Sequence, residues 1–222
     1  MPLFAFPASA ELQKDFNALQ QAFVNGVPSA PQASLAVDLT QRYADEIIDA
    51  LLLNLTRRPD SNQESAGILN TVAGMIKGTV HGLIRQILGK MSNSELQPVA
   101  AFIATRRTSV QEADGVRDYI SFQLLPADHD LLRRAWQAAA NGERDLALMT
   151  EAMLRFSELA IQAFYVETGE AVKMGFVLRN LFQVGKATIS KGSRSAITRL
   201  VPAMRPSDMQ AFGAYFLGML RD

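Results

Sequence analysis

Two histidines and no cysteine leave this 222-residue chain few side chains able to move a proton or ligate a metal near neutral pH. His129 stands in the run Asp128-His129-Asp130, where metal-ligand types crowd together. Consecutive helical residues point about 100° apart, so these three do not converge on one ion. Acids at the start of a helix also have a plain role in complementing its dipole. His81 lies among basic residues and belongs to no His-Glu-x-x-His pair. The expectation is a chain with neither a metal site nor a cofactor.

Carboxylates recur on two predicted helices, as Asp38, Asp45 and Asp49 in the first half and Glu151, Glu158 and Glu167 in the second. Acid-base work needs such groups held at a set separation in an apolar cleft, and no Glu-x-x-His element of a helical di-iron bundle accompanies them. There is likewise no Gly-rich dinucleotide or phosphate loop and no nucleophile elbow. No catalytic residue is assigned. An enzyme of unspecified type would have to use a cavity between the two halves.

Charge is more informative than catalytic chemistry. Lys plus Arg and Asp plus Glu both total 22, yet no acid occurs between Glu64 and Glu95 or between Glu170 and Asp208. The first stretch carries Lys77, Arg85 and Lys90 with His81, and the second carries Lys173, Arg179, Lys186, Lys191, Arg194, Arg199 and Arg205. Three readings follow. The basic helices complement the acidic ones internally, or they bind an acidic protein or small anionic ligand through Lys186, Lys191, Arg194, Lys77 and Arg85. The third reading is a peripheral contact with anionic lipid by the amphipathic helix over 171–201, where Met174, Phe176, Val177, Leu181, Phe182 and Val184 accompany the cations. Nucleic acid is disfavoured, because no recognition-helix pattern accompanies the charge.

Arg42 and Arg155 are each followed by an aromatic residue and, three positions on, by Asp45 or Glu158. That spacing permits an ion pair on the helix surface. The alternative is a pseudo-symmetric pair of anion-binding arginines.

The elements that must position these residues are legible as apolar stripes. Leu12, Phe16, Leu19 and Phe23 predict a helix over 9–24, followed by helices over 34–57, 63–90 and from 92 or 94 through 103. Arg58-Pro59-Asp60 is read as the end of the second. Thr108 or Ser109, with Glu112 at capping-box spacing, predicts a further short helix. Gly74, Gly78 and Gly82 predict close packing against a neighbouring helix.

Sliding the chain along itself by 113 residues aligns 91–103 with 204–216 and Arg42-Tyr43-Ala44-Asp45 with Arg155-Phe156-Ser157-Glu158. It also places Leu12, Leu19 and Phe23 over Leu125, Leu132 and Trp136, so Phe23 and Trp136 are expected to be buried in matching places. Ser94 and Ser207 align as helix caps, followed by Glu95 and Asp208. The second set of helices falls at 127–140, 144–168, 171–201 and 207–220. The predicted fold is all-α, a helical bundle built from two tandem, distantly similar four-helix units, 1–110 and 111–222, packed together.

The N-terminus lacks a positive region and Pro7 interrupts its first apolar run, so no secretory signal is read, and no apolar run is long enough to cross a bilayer. Cytoplasmic residence is the expectation. The predicted function is that of a noncatalytic helical interaction protein.

Overall fold

A computed structural model describes residues 1–57, 62–112 and 115–222. Strand β1 (Leu3–Pro7) leads into α1 (Ala10–Phe23), α2 (Ala33–Ile48) with a π-helical turn at Asp49–Leu53, α3 (Gln63–Leu88), α4 (Asn93–Ala104) and β2 (Arg107–Glu112). The chain continues with β3 (Gly115–Gln123), α5 (Pro126–Ala140), α6 (Leu146–Ile161) with a π-helical turn at Gln162–Val166, and α7 (Glu167–Glu170). It closes with α8 (Phe176–Ala203), α9 (Pro206–Leu217) and β4 (Leu220–Arg221). The proposed helix end at Arg58-Pro59-Asp60 lies outside the described residues.

Local chemistry explains most of the helix boundaries. Ser9 caps α1 by accepting from the Leu12 N–H at 3.1 Å, and Asp145 caps α6 by accepting from Leu148 at 2.9 Å. Helix α2 has no side-chain cap of its own. Its Gln32 N–H instead donates to Asn93 Oδ1 at 2.9 Å, and the Asn93 amide donates to Pro28 and Ala30 carbonyls, tying the loop before α2 to the start of α4. Helix α4 follows Ser92, one of the two serines read as its start, and α9 follows Arg205 rather than Ser207. Glu95 and Asp208 accept from the Ser92 and Arg205 backbone N–H at 2.8 and 3.2 Å. Each acid thus satisfies the backbone N–H of the residue just before its helix, the reciprocal half of a capping box.

The protein is mostly helical, but it is not all-α. A four-stranded antiparallel sheet in the order β2-β3-β1-β4 underlies the helices. Residues 107–112, read as a capped helix, form its edge strand: a Ser and a Glu three apart also occur in a strand, and local spacing cannot separate the two. Phe4 faces Phe122 and Phe6 faces Ile120 across the central pair. Phe4 and Phe122 each lie within ring-contact distance of Phe156, while Phe6 and Phe122 meet Phe164, so the helices cover this face. On the opposite face Thr108 and Ser121 share a hydrogen bond of 2.7 Å and the Tyr119 hydroxyl donates to Glu112. Strand β1 lies between β3 and β4, and α3 packs on α8, so early and late parts of the chain share one sheet and one helical layer.

Helix bounds recur along the chain. Helices α2 and α6, the two π-helical turns, α4 and α9, and the starts of α3 and α8 each lie 113 residues apart. Helices α1 and α5 start 116 apart. Leu12 is fully buried while Leu125 is 68% exposed just ahead of α5. Leu12, Phe16 and Leu19 correspond in burial to Asp128, Leu132 and Ala135. Phe23 is only partly buried and Trp136 is wholly enclosed, contrary to the expectation of matching places. Three residues make nearly one helical turn, so the slipped alignment still superposed parts of the apolar rows.

Gly74, Gly78 and Gly82 do not sit in a tight helix contact, because a Cβ at any of them meets nothing within 4 Å. Close approach occurs at Gly213, where a Cβ would lie 2.6 Å from the Trp136 carbonyl oxygen across the α5–α9 contact. Gly74→Ala and Gly78→Ala are accordingly expected to stabilise the protein by about 0.5–1 kcal/mol each in urea unfolding, by removing glycine's extra unfolded-state freedom. A loss of stability at both would mean that the strip is packed after all. Tyr43 presents the opposite case: its hydroxyl is buried without a hydrogen-bond partner among the described residues, and burial pushes the phenol above its ordinary range. Tyr43→Phe is expected to be neutral or to stabilise by up to about 1 kcal/mol, since an unsatisfied buried group is removed. A clear loss of stability would show that the hydroxyl has a partner.

Candidate functional site

Packing decides which of the suspected cations are available. Lys77, on α3, reaches Asp49 at 3.0 Å and Asp45 at 3.3 Å, and His81 Nε2 lies 3.0 Å from Asp45. Arg57 reaches Asp49 at 2.6 Å. Burial pulls the Lys77 ammonium down, but hydrogen bonding and charge from Asp49 and Asp45 outweigh it and hold the group above its usual range. Burial likewise pushes Asp49 up, and contacts with Arg57 and Lys77 outweigh it and hold the carboxyl below its usual range. This cluster joins α2 to α3.

Arg42 pairs with Asp15 of α1 at 2.6 Å, not with Asp45, which is taken by Lys77 and His81. The Asp15 hydrogen bond raises the Arg42 pKa. Arg155 makes two hydrogen bonds to Asp128, at 2.6 and 2.9 Å, and lies 3.6 Å from Glu158. The Asp128 hydrogen bond likewise raises its pKa. Each arginine fastens its helix to the one before it, reaching aspartates that lie about one turn apart within α1 and α5. Asp128 is thus bonded to Arg155, while His129 lies 3.8 Å from both Asp130 and Asp222. Among the described residues no group of three acid or histidine side chains is placed to hold a metal ion.

The remaining suspects lie on α8 or at the end of α3. Arg85 is exposed, and its Nε donates to the His81 carbonyl at 3.3 Å. Arg194 is exposed and reaches Glu158 at 3.4 Å. Lys191 is exposed and Lys186 half-buried, and neither has an ion pair or hydrogen bond among the described residues.

Two neighbouring spaces converge on this side of α8. A groove of about 300 Å³ between α6 and α8 is lined by Ser157, Glu158, Ile161, Gln162, Lys186 and Arg194, among others. It is the positional counterpart of the Lys77 cluster: 113 residues on, Asp45 becomes Glu158, Asp49 becomes Gln162, Lys77 becomes Ser190 and His81 becomes Arg194. The second set of positions carries one acid fewer, a serine in place of the lysine and an arginine in place of the histidine. Behind it lies an apolar cavity of about 170 Å³ bounded by α2, α3, α6, α8 and α9. Ser157 and Ile161 line both spaces. The cavity depends on packing between distant helices, which explains why sequence patterns did not locate it.

The N-terminal end of α8 adds a third feature. Phe176, Val177, Leu181 and Val184 are 80%, 69%, 41% and 64% exposed. Val177, Leu181 and Val184 follow one helical stripe, separate from the face that buries Phe182, Gly185 and Ile189. Lys173, Arg179 and Lys191 are also exposed. Phe182, which the sequence reading grouped with the surface residues, is buried instead and stacks on Tyr165. At the corresponding positions α3 carries Gln63, Glu64, Ile68 and Thr71, so the helix architecture does not itself require the exposed apolar side chains.

The fold and site define a predominantly helical protein with a shared four-stranded sheet, an apolar interior cavity and an exposed amphipathic helix end. Comparison with family models, curated proteins and solved structures finds no match to the chain. Among the described residues no helix is long and apolar enough to cross a membrane.

Proposed function

We propose that the protein is a noncatalytic binding protein that attaches peripherally to anionic lipid surfaces through the N-terminal end of α8. The observation that carries this reading is the exposure of Phe176, Val177, Leu181 and Val184 in a stretch that has basic residues and no acid. Apolar side chains supply burial in the headgroup region, and each nearby Lys or Arg contributes about 1 kcal/mol of attraction to an anionic leaflet. An acidic protein or small anionic ligand is the second reading, supported by Lys186 and Lys191, which have no ion pair among the described residues. Lys77, Arg42 and Arg155 are organisers of neighbouring helices under either reading. The recurrent spacing of helix bounds supports a further proposal, that 1–110 and 111–222 descend from one repeated unit.

Cosedimentation with phosphatidylcholine vesicles, with and without a third of phosphatidylserine, tests the lipid reading. The parent is expected to bind only the anionic vesicles, with binding falling as salt rises. Combined Phe176→Ser, Val177→Ser and Val184→Ser should abolish this. Combined Lys173→Glu, Arg179→Glu and Lys191→Glu should weaken it about a hundredfold or more, from the loss of three such attractions. Unchanged binding of both variants, or no binding by the parent, overturns the proposal.

A further inference from the structure

We propose that the groove and the cavity behind it form one site for a single-chain anionic amphiphile. Its carboxylate or phosphate head lies between Lys186 and Arg194, and its alkyl chain passes Ser157 and Ile161 into the apolar interior. The inference extends the lipid reading by naming a ligand and an interior site, and it is tested without a membrane.

The interior specifies the tail. Among the side chains lining the cavity, only Ser157, Tyr165 and Ser193 are polar. Ser157 Oγ already donates to the Leu154 carbonyl and the Tyr165 hydroxyl to that of Phe182, both at 2.9 Å. A water molecule needs two to four polar partners, so this lining favours hydrocarbon over water; a dry apolar cavity of about 150 Å³ suffices to bind benzene. The groove specifies the head. Lys186 is a half-buried residue whose ammonium has no acid partner among the described residues, and the corresponding first-half position is the buried Ala73. An unpaired cation in a partly desolvated place favours a bound anion. Glu158 is the opposing charge. It sits 3.4 Å from Arg194 and 3.6 Å from Arg155, so it can remain with Arg155 while the ligand head takes Arg194. A cationic amphiphile would instead place its head beside Lys186, Arg194 and Arg155, and a wholly neutral one would leave Lys186 unpaired.

Decanoate, decanol and decyltrimethylammonium, each below its micellar concentration, are the probes, with acetate as the head-only control. Trp136 reports occupancy by fluorescence, because its ring lies 5.3 and 5.2 Å from the cavity-lining Phe156 and Phe216. Calorimetry provides the affinity independently. Decanoate is expected to bind roughly tenfold more tightly than decanol, with no measurable binding of acetate or the cationic probe. Lys186→Ala with Arg194→Ala should bring decanoate down to the affinity of decanol. Ala160→Leu fills the cavity from its wall and should remove binding of both chains without lowering the urea midpoint; Ala196→Leu fills it from α8 should the first variant fold poorly. Dodecyl phosphate competing for the same site separates a phosphate-bearing source from a fatty carboxylate by its relative affinity. Absence of decanoate binding, equal affinity for decanoate and decanol, or unchanged binding in folded cavity-filled variants overturns the site. Vesicle binding measured on Ala160→Leu keeps the two readings apart: retained vesicle binding with no decanoate binding in the parent sinks only the interior site, and the reverse pattern sinks only the surface reading.

Discussion

Trp136→Ala is expected to lower folding stability by about 3–5 kcal/mol, the range for removing a fully enclosed large aromatic side chain. The ring is wholly buried and joins three elements, meeting Phe4 of β1 at 6.3 Å, Phe156 of α6 at 5.3 Å and Phe216 of α9 at 5.2 Å between centroids. Collapse around the gap is restricted because α5 and α9 are already in backbone contact distance at Gly213. The helices therefore cannot close over the vacancy by moving toward one another. Trp136→Phe provides the control: the indole Nε1 is buried without a partner among the described residues, so phenylalanine keeps much of the ring packing and removes an unsatisfied donor. It should cost less than half as much as alanine. Phe23→Ala, at a partly buried site, should also cost clearly less. Urea unfolding of the three variants checks the order, and a Trp136→Ala loss below about 1 kcal/mol would refute the assigned packing.

The second large effect is expected at Asp118. This buried carboxylate on β3 lies 2.6 Å from Arg107 on β2 and accepts from Ser109 Oγ at 2.5 Å. Arg107 also donates to Asn17 of α1 at 2.8 Å and lies over the Phe16 ring, so the pair joins the sheet to the first helix. Asp118→Ala removes the partner of a largely enclosed guanidinium and should cost about 3–5 kcal/mol, most of it the penalty for leaving a charge unpaired. Asp118→Leu combined with Arg107→Met should recover much of the loss, because neither charge then requires solvation. A double-mutant cycle in urea measures the coupling. Additive losses would show that the two side chains do not depend on one another.

The helices were legible because a buried stripe at helical spacing leaves a signal in every turn, as Leu12, Phe16 and Leu19 do in α1. The sheet left little signal. Strand β1 is only Leu3–Pro7, and β2 has the composition Arg-Thr-Ser-Val-Gln-Glu, whose hydroxyl and acidic residues also suit a helix cap. Strand β1 pairs with β3 more than a hundred residues away, and hydrogen bonds between such distant segments impose no local period. Strand β2 pairs with β3 directly after it in sequence and is obscured by its composition alone. The offset of 113 was readable from side-chain types, whereas the offset of 116 between α1 and α5 depends on where each helix begins.

For the candidate site, the sequence determined that α3 and α8 are basic and that the start of α8 has apolar residues beside its cations. Only the tertiary structure decided which charges were compensated. Lys77 meets two aspartates because α2 packs on α3, while Lys186 faces a groove whose counterpart of Asp49 is Gln162. The same packing buries Phe182, leaves Phe176 outside and lines an apolar space with five helices. Side-chain chemistry is local, but compensation, exposure and cavity shape arise from groups distant along the chain, and their positions are set by the way the helices cross.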